Sequence, residues 1–243
     1  MTAARHDTQV TQGWMRDGES FFASQLAALR DTDLDGPSAL PGWGRRTVAA
    51  HVARNAEALN RLVRWASTGV ETRMYADPGQ RVRDIEASAG QSPRELQADV
   101  QRTTAELDNA IATLPATQWR ATVLSGLGRK IPAAEVPWLR CREVWLHGLD
   151  LAAGGSSRDL PLPFAEALVD ELAGYMSGKP SVPETEITST VDGRSWHISG
   201  SGATGRTLLV HGDPHAVAAW LTGRTYDRSA LQADELPQLP TWL

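Results

Sequence analysis

The sequence predicts a protein of two domains: a four-helix bundle over residues 1–155 and a small α/β domain over residues 162–243. Two observations carry this expectation. Ahead of residue 155, apolar residues recur at helical spacing in four long segments separated by loops that hold Gly or Pro. After Gly154-Gly155-Ser156-Ser157 the segments shorten, and two strand-like runs flank Asp192-Gly193. At 243 residues the chain is long enough for one large core or two small ones.

The first helix is expected from Thr8 to Leu29, with Phe21, Phe22, Leu26 and Leu29 as its apolar stripe. Thr47 is the expected cap of a second, running to Ser67 and stopped by Thr68-Gly69. A short helix fits between Asp77-Pro78-Gly79 and Ala89. Ser92, Pro93 and Glu95 then form a capping box with proline in the first turn, opening a helix that reaches Ala112 and ends before Pro115. A connection with Gly126, Gly128 and Pro132 leads to the fourth long helix, Ala134 to Ala152.

In the second domain, Pro161-Leu162-Pro163 precedes a helix from Phe164 to Met176, and Gly178, Pro180 and Pro183 break the pattern. Ile187–Val191 and Arg194–Ser199 read as strands joined by a two-residue turn, and Arg206–Val210 as another strand. Asp213 caps a last helix with Pro214 in its first turn, Ala216 to Leu221 in its body and Gly223 at its end.

Composition narrows the function. The sequence is 41% hydrophobic and 22% charged, which fits a globular protein rather than a disordered or fibrous one. A net charge of -5 argues against general affinity for nucleic acid. The single cysteine, Cys141, excludes an intramolecular disulfide framework and a zinc site built from several thiolates. Neither a bilayer-spanning apolar run nor the apolar core of a secretory signal is visible, so a soluble, cytoplasmic and monomeric protein is expected. Apart from Lys130 and Lys179 the basic residues are arginines, whose planar donor forks suit carboxylates.

Chemistry concentrates on the fourth helix, in Arg142-Glu143-Val144-Trp145-Leu146-His147. Residues four apart lie about 40° apart around a helix and about 6 Å along it, so Glu143 and His147 can face one point. Val136 and Leu139 approach that face from the preceding turns. A carboxylate in such surroundings needs a proton, an ion partner or a metal. Asp150 lies near the same line as an outer-shell candidate. On the second helix, His51 interrupts an apolar face made by Val48, Ala58, Leu59 and Leu62, with Asn55 beside it. Together His51, Glu143 and His147 would make a two-histidine, one-carboxylate site with an open position, as catalytic zinc uses; iron accepts the same ligands. The spacing equally suits a helix pair without a metal.

The remaining candidates are weaker. Gly212 and Pro214 prevent His211 and His215 from forming a helical pair, His197 faces away from the side of Trp196 and Ile198, and His6 belongs to the terminus. Cys141 lies almost opposite Glu143 and His147 on the helix, which favours a structural thiol. Gly200-Ser201-Gly202 reads as a turn and not as a phosphate cradle.

Beyond these spacings, Ala49-Ala50-His51-Val52-Ala53-Arg54-Asn55-Ala56, Trp65-Ala66-Ser67-Thr68-Gly69, Glu71-Thr72-Arg73-Met74-Tyr75, the Arg142–His147 segment and the tail from Thr222-Gly223-Arg224 to Pro240-Thr241-Trp242-Leu243 resemble the mycothiol-dependent maleylpyruvate isomerase family. The resemblance spans essentially the whole chain. It implies a DinB-like helical bundle joined to a small C-terminal α/β domain, zinc ligands at His51, Glu143 and His147, and a catalytic arginine at Arg224. It also implies cis-to-trans isomerisation of maleylpyruvate to fumarylpyruvate in gentisate degradation, with Zn2+ and mycothiol as cofactors. The partners it implies are mycothiol and a small dicarboxylate, with no nucleic acid and no membrane. Around Arg54 and Cys141 the sequence differs from a well-known member of the family, so neither is assigned an inherited catalytic role. Two other readings use the same residues: a mycothiol S-transferase acting on another electrophile, and a non-enzymatic, metal-stabilised binding module.

Overall fold

The structure is a computed structural model, and it describes residues 4–201, 207–225, 227–233, 236–237, 239–240 and 242. Arg206 and Gly202, which enter the expected third strand and the glycine turn, lie outside the described residues, as do Thr241 and Leu243 of the tail. Arg5–Gly155 forms one compact unit, and the described residues of Ser156–Leu243 belong to another.

The first unit is a bundle of four long helices, α1 (Thr8–Ala27), α2 (Arg45–Thr68), α4 (Pro93–Thr113) and α5 (Val136–Asp150), with a short α3 (Gln80–Ala89) against α2. Asp7 starts α1 by accepting from the amides of Gln9 and Val10. Ser92 and Glu95 form the expected capping box at α4, with Pro93 in its first turn. Gly69 ends α2 at φ 73, a left-handed conformation that glycine adopts without a Cβ clash. The start of α2 corrects the expectation at Thr47. The cap lies three residues earlier, at Gly44, because its carbonyl already accepts from the Val48 amide at 3.1 Å, without a side-chain cap.

Buried Met15, Phe22, Leu59, Leu62, Leu96, Leu107 and Val144 form the bundle core. Each fully buried large side chain contributes roughly 1.5–3 kcal/mol through apolar surface removed from water. Where α1 meets α5, glycines permit a close approach. A Cβ on Gly18 would lie 2.6 Å from Val144 Cγ2, and one on Gly148 would lie 2.6 Å from Phe21 Cε1. Phe21 in turn stacks on Trp145 at 5.0 Å, whose indole N–H donates to the Trp14 carbonyl.

Arg140 on α5 is fully buried, which the sequence reading did not anticipate. Its Nε donates to Glu19 Oε1 on α1 at 3.0 Å, and Nη1 to Val52 O and Asn55 Oδ1 on α2 at 2.8 and 3.1 Å. Nη2 reaches Thr104 Oγ1 on α4 at 3.1 Å. One guanidinium therefore ties the four long helices together. A cavity of about 390 Å³ borders this layer, lined among others by Glu19, Asp108 and Arg140.

Between α4 and α5 the chain forms a hairpin that the sequence reading missed, β1 (Thr122–Leu124) against β2 (Lys130–Pro132). Val123 pairs with Ile131 and both are buried, but three-residue strands are too short to display an alternating pattern.

In the second unit a four-stranded sheet has the order β4 (Ser195–Ile198), β3 (Thr185–Ser189), β5 (Leu208–Gly212) and β6 (Leu231–Gln232). The β3–β5 pair is parallel and the other two pairs are antiparallel. Ile187 sits opposite both Trp196 and Val210, and all three are buried. Helix α6 (Leu162–Met176) supplies Phe164, Leu168 and Leu172 to this core and packs on α7 (Pro214–Leu221), which Asp213 caps as expected. The turn after β3 is longer than the two residues expected. Ser189 Oγ accepts the Val191 amide, and the Thr190 amide bonds to Gly212 O on β5, which draws Thr190 out of the hairpin ladder. The short strand β6 was not anticipated.

Candidate metal centre

Helices α2 and α5 bring His51, Glu143 and His147 to one place, although His51 is distant from the other two in sequence. His51 Nε2 lies 2.8 Å from Glu143 Oε2, and His147 Nε2 lies 3.3 Å from the same oxygen. The three ligand atoms all lie within 4.8 Å of one another, and among the described residues no other trio of such side chains converges in this way. The imidazole rings stand 4.8 Å apart at 89°.

The donor set fits a divalent ion. Bonds of about 2.0–2.1 Å in a tetrahedral site leave donor atoms about 3.3 Å apart, close to the 2.8 and 3.3 Å that separate Glu143 Oε2 from the two imidazole nitrogens. A ligating imidazole gives one nitrogen to the ion and needs an acceptor for the proton on the other. For His147 that acceptor is Asp150, whose Oδ2 lies 2.8 Å from Nδ1. Asp150 is itself buried, and its carbonyl accepts from the Ala39 amide at 2.8 Å.

Electrostatics agree. Burial alone would raise the Glu143 carboxyl, but His51 and His147 pull it well below the usual carboxylate range. Burial lowers His51 against the opposing pull of Glu143. His147 is also disfavoured as a cation by burial, yet its bonds to Asp150 and Glu143 raise it overall. The ionised carboxylate suits a bound cation, which on binding would displace the proton that Asp150 and Glu143 favour on His147.

Other side chains complete the surroundings. Trp43, from the loop before α2, meets His51 edge-on at 5.5 Å and lies parallel to His147 at 6.3 Å. Arg81 Nη2 approaches His51 Nδ1 at 3.4 Å. Burial pushes the Tyr75 hydroxyl up, while Arg81 acts on it in the opposite direction. Sequence reasoning did not single out Trp43 or Arg81. A signal was present for Arg81, because a cation in the first turn of a helix opposes the helix dipole.

The remaining expected residues lie elsewhere. Arg224 belongs to the second unit, follows α7, and donates from Nη1 to Thr222 O at 3.1 Å. Cys141 is buried with its thiol 3.2 Å from Thr11 O, and burial pushes its pKa well up. His197 faces outward between buried Trp196 and Ile198, while His215 sits between its cap Asp213 and Leu160 O. Gly200 passes so close to Pro183 and Glu184 that a Cβ would collide with their backbone.

Comparison with known proteins points to one family. The family described as the mycothiol maleylpyruvate isomerase N-terminal domain matches residues 15–152. A crystal structure of the mycothiol-dependent maleylpyruvate isomerase is similar along the full length of both chains, at 29% identity and a TM-score of 0.92. A variant of that enzyme with a histidine replaced by alanine is similar over the same extent, at 28% identity and a TM-score of 0.91. No curated protein matches the chain.

Proposed function

The chain belongs to the family of the mycothiol maleylpyruvate isomerase N-terminal domain, and on that premise we propose that it converts maleylpyruvate to fumarylpyruvate, with zinc and mycothiol as cofactors. The convergence of His51, Glu143 and His147 is the observation that most supports this reading, in a chain similar throughout to a mycothiol-dependent isomerase. Within this reading residues 1–155 form the metal-binding domain and residues 162–243 the C-terminal domain. We place the activity in a cytoplasmic monomer.

Rotation about a conjugated double bond requires that bond to become single for a moment. The chain's own thiol is unsuited to the task, since Cys141 is buried and held as the thiol. Mycothiol, when bound, would supply the thiol nucleophile that such a change of bond order calls for. Zinc, when bound, supplies positive charge that favours thiolate over thiol.

His51, Glu143 and His147 would hold the ion. Asp150 keeps the Nδ1 proton of His147 and so directs Nε2 toward the ion. Trp43 covers both imidazoles with an apolar ring, which lowers the local dielectric and strengthens the interactions of charged groups there. Addition next to a ketone develops enolate charge on a substrate that already carries two carboxylates. Arg224 offers a planar donor fork for one of those carboxylates.

A turnover assay with zinc, mycothiol and maleylpyruvate tests the reading, following loss of the cis compound and gain of the trans product. Absence of product with both cofactors present overturns it, and turnover of unrelated electrophiles alone would make the protein a mycothiol S-transferase. Alanine at residue 51, 143 or 147 should remove both metal and activity, whereas full metal occupancy in each variant would reject this ligand set. Arg224→Lys should lower kcat/KM without loss of zinc. Unchanged turnover at limiting substrate would remove Arg224 from the site.

A further inference from the structure

Arg81 has no carboxylate partner among the described residues, although it stands beside His51, one of the three candidate ligands. It is half-buried, its Nη2 is 3.4 Å from His51 Nδ1, and its guanidinium carbon is 6.0 Å from the Trp43 ring centre. Tyr75 stands close enough to feel its charge. Arg61 steadies this side, since its Nη1 donates to the carbonyl of Met74 at 2.6 Å and so fixes the residue before Tyr75. Elsewhere in the unit, Arg46 pairs with Asp35, Arg54 and Arg102 with Asp99, Arg129 with Glu135, and Arg140 with Glu19.

The contact between Arg81 and His51 serves only one form of the imidazole. A guanidinium has donors and no acceptor. It can donate to Nδ1 while the ring proton sits on Nε2. Once Nε2 gives its lone pair to a cation, the proton moves to Nδ1, and two N–H groups then face each other. A half-buried donor fork deprived of its acceptor is open to an anion in its place. A divalent ion together with Arg81 also outweighs Glu143 and Asp150 in charge, so this corner attracts an anion.

We propose that Arg81 is a specificity-determining residue whose fork, beside the Tyr75 hydroxyl and the Trp43 ring, receives a carboxylate of the planar unsaturated substrate. The identity of that substrate rests on the isomerase reading; the carboxylate site itself can be tested without turnover.

The probes are maleate and its uncharged diamide, maleamide, titrated calorimetrically into the zinc-loaded, full-length protein. The wild type should bind maleate about tenfold or more tightly than maleamide, because the diamide brings no carboxylate to the fork. Arg81→Gln should weaken maleate binding about tenfold and shrink the preference by the same factor at unchanged zinc content, with Arg81→Lys recovering part of both. With maleylpyruvate, Arg81→Gln should raise KM more than it lowers kcat. Wild-type affinity for maleate in the glutamine variant, an undiminished preference there, or a wild type without preference would each overturn the proposal. Maleate binding that depends on Arg81, in a protein that fails to turn over maleylpyruvate, would support the carboxylate site and sink the isomerase reading. Isomerase activity indifferent to Arg81→Gln would do the reverse.

Discussion

Asp150 Oδ2 stands 2.8 Å from His147 Nδ1, one helical turn along α5, and this contact selects which imidazole nitrogen faces Glu143. Asparagine at position 150 still accepts the proton but brings no charge. Asp150→Asn should therefore weaken zinc binding about 10–100-fold while the helix content holds. Competition against a chromophoric chelator measures this, and an unchanged dissociation constant would show that the carboxylate is dispensable for the metal.

Cys141 should be a spectator in the chemistry. Its thiol is buried and held protonated, with Thr11 O as its contact. Cys141→Ala should keep turnover within about twofold, since a buried thiol is a poor nucleophile. The cost in stability should be about 1–2 kcal/mol from lost packing and a lost weak hydrogen bond. A loss of activity without a loss of zinc or fold would contradict this assignment.

Glu19 gives the bundle a measurable pH dependence. Burial pushes its carboxyl from the ordinary 4.5 to about 7, against the pull of Arg140. Between those values the folded state binds the proton and the unfolded chain does not. Its contribution therefore favours folding at low pH, declines as pH rises through this window, and is level above it. The decline is on the order of 3 kcal/mol at most. Glu19→Gln cannot titrate, so the advantage of wild type over the variant in urea melts should shrink from about pH 5 to about pH 8. An advantage that grows over this range would reverse the assignment.

Gly148 tests the contact between α1 and α5. An added methyl group would meet the Phe21 ring at 2.6 Å, and that ring is held by its stack on Trp145. Gly148→Ala should cost about 1–3 kcal/mol from overpacking. Gly174→Ala on α6 meets nothing within 4 Å and should be neutral or stabilising by up to about 1 kcal/mol. Equal thermal melts for the two variants would contradict the tight contact.

Much of this architecture is written in local signals. The capping box at Ser92-Pro93-Glu95, the stop at Gly69 and the cap at Asp213 act through neighbours a few residues away, so the sequence displays them directly. The spacing of Glu143 and His147 is local in the same sense, whereas His51 joins them only through tertiary packing and was legible as a polar break in an apolar face. The Arg140 layer was not legible, because an arginine reads as a surface residue until Glu19, Asn55 and Thr104 surround it. Trp43 and Arg81 come from a loop and a short helix whose positions depend on the bundle they cover. The hairpin Thr122–Pro132 is too brief to announce itself by periodicity.

The Arg140 staple also bears on how the candidate metal ligands come into register. A misordered bundle would strand a buried cation without its partners, a penalty that selects one threading of the four helices before any ion arrives. An ion bound there would thus meet a ready-made clamp, unlike the small zinc modules that are unfolded until metal binds. Chelation should empty the centre and leave a cooperative thermal transition, and a chain that melts gradually after chelation would mean that the metal had been the keystone.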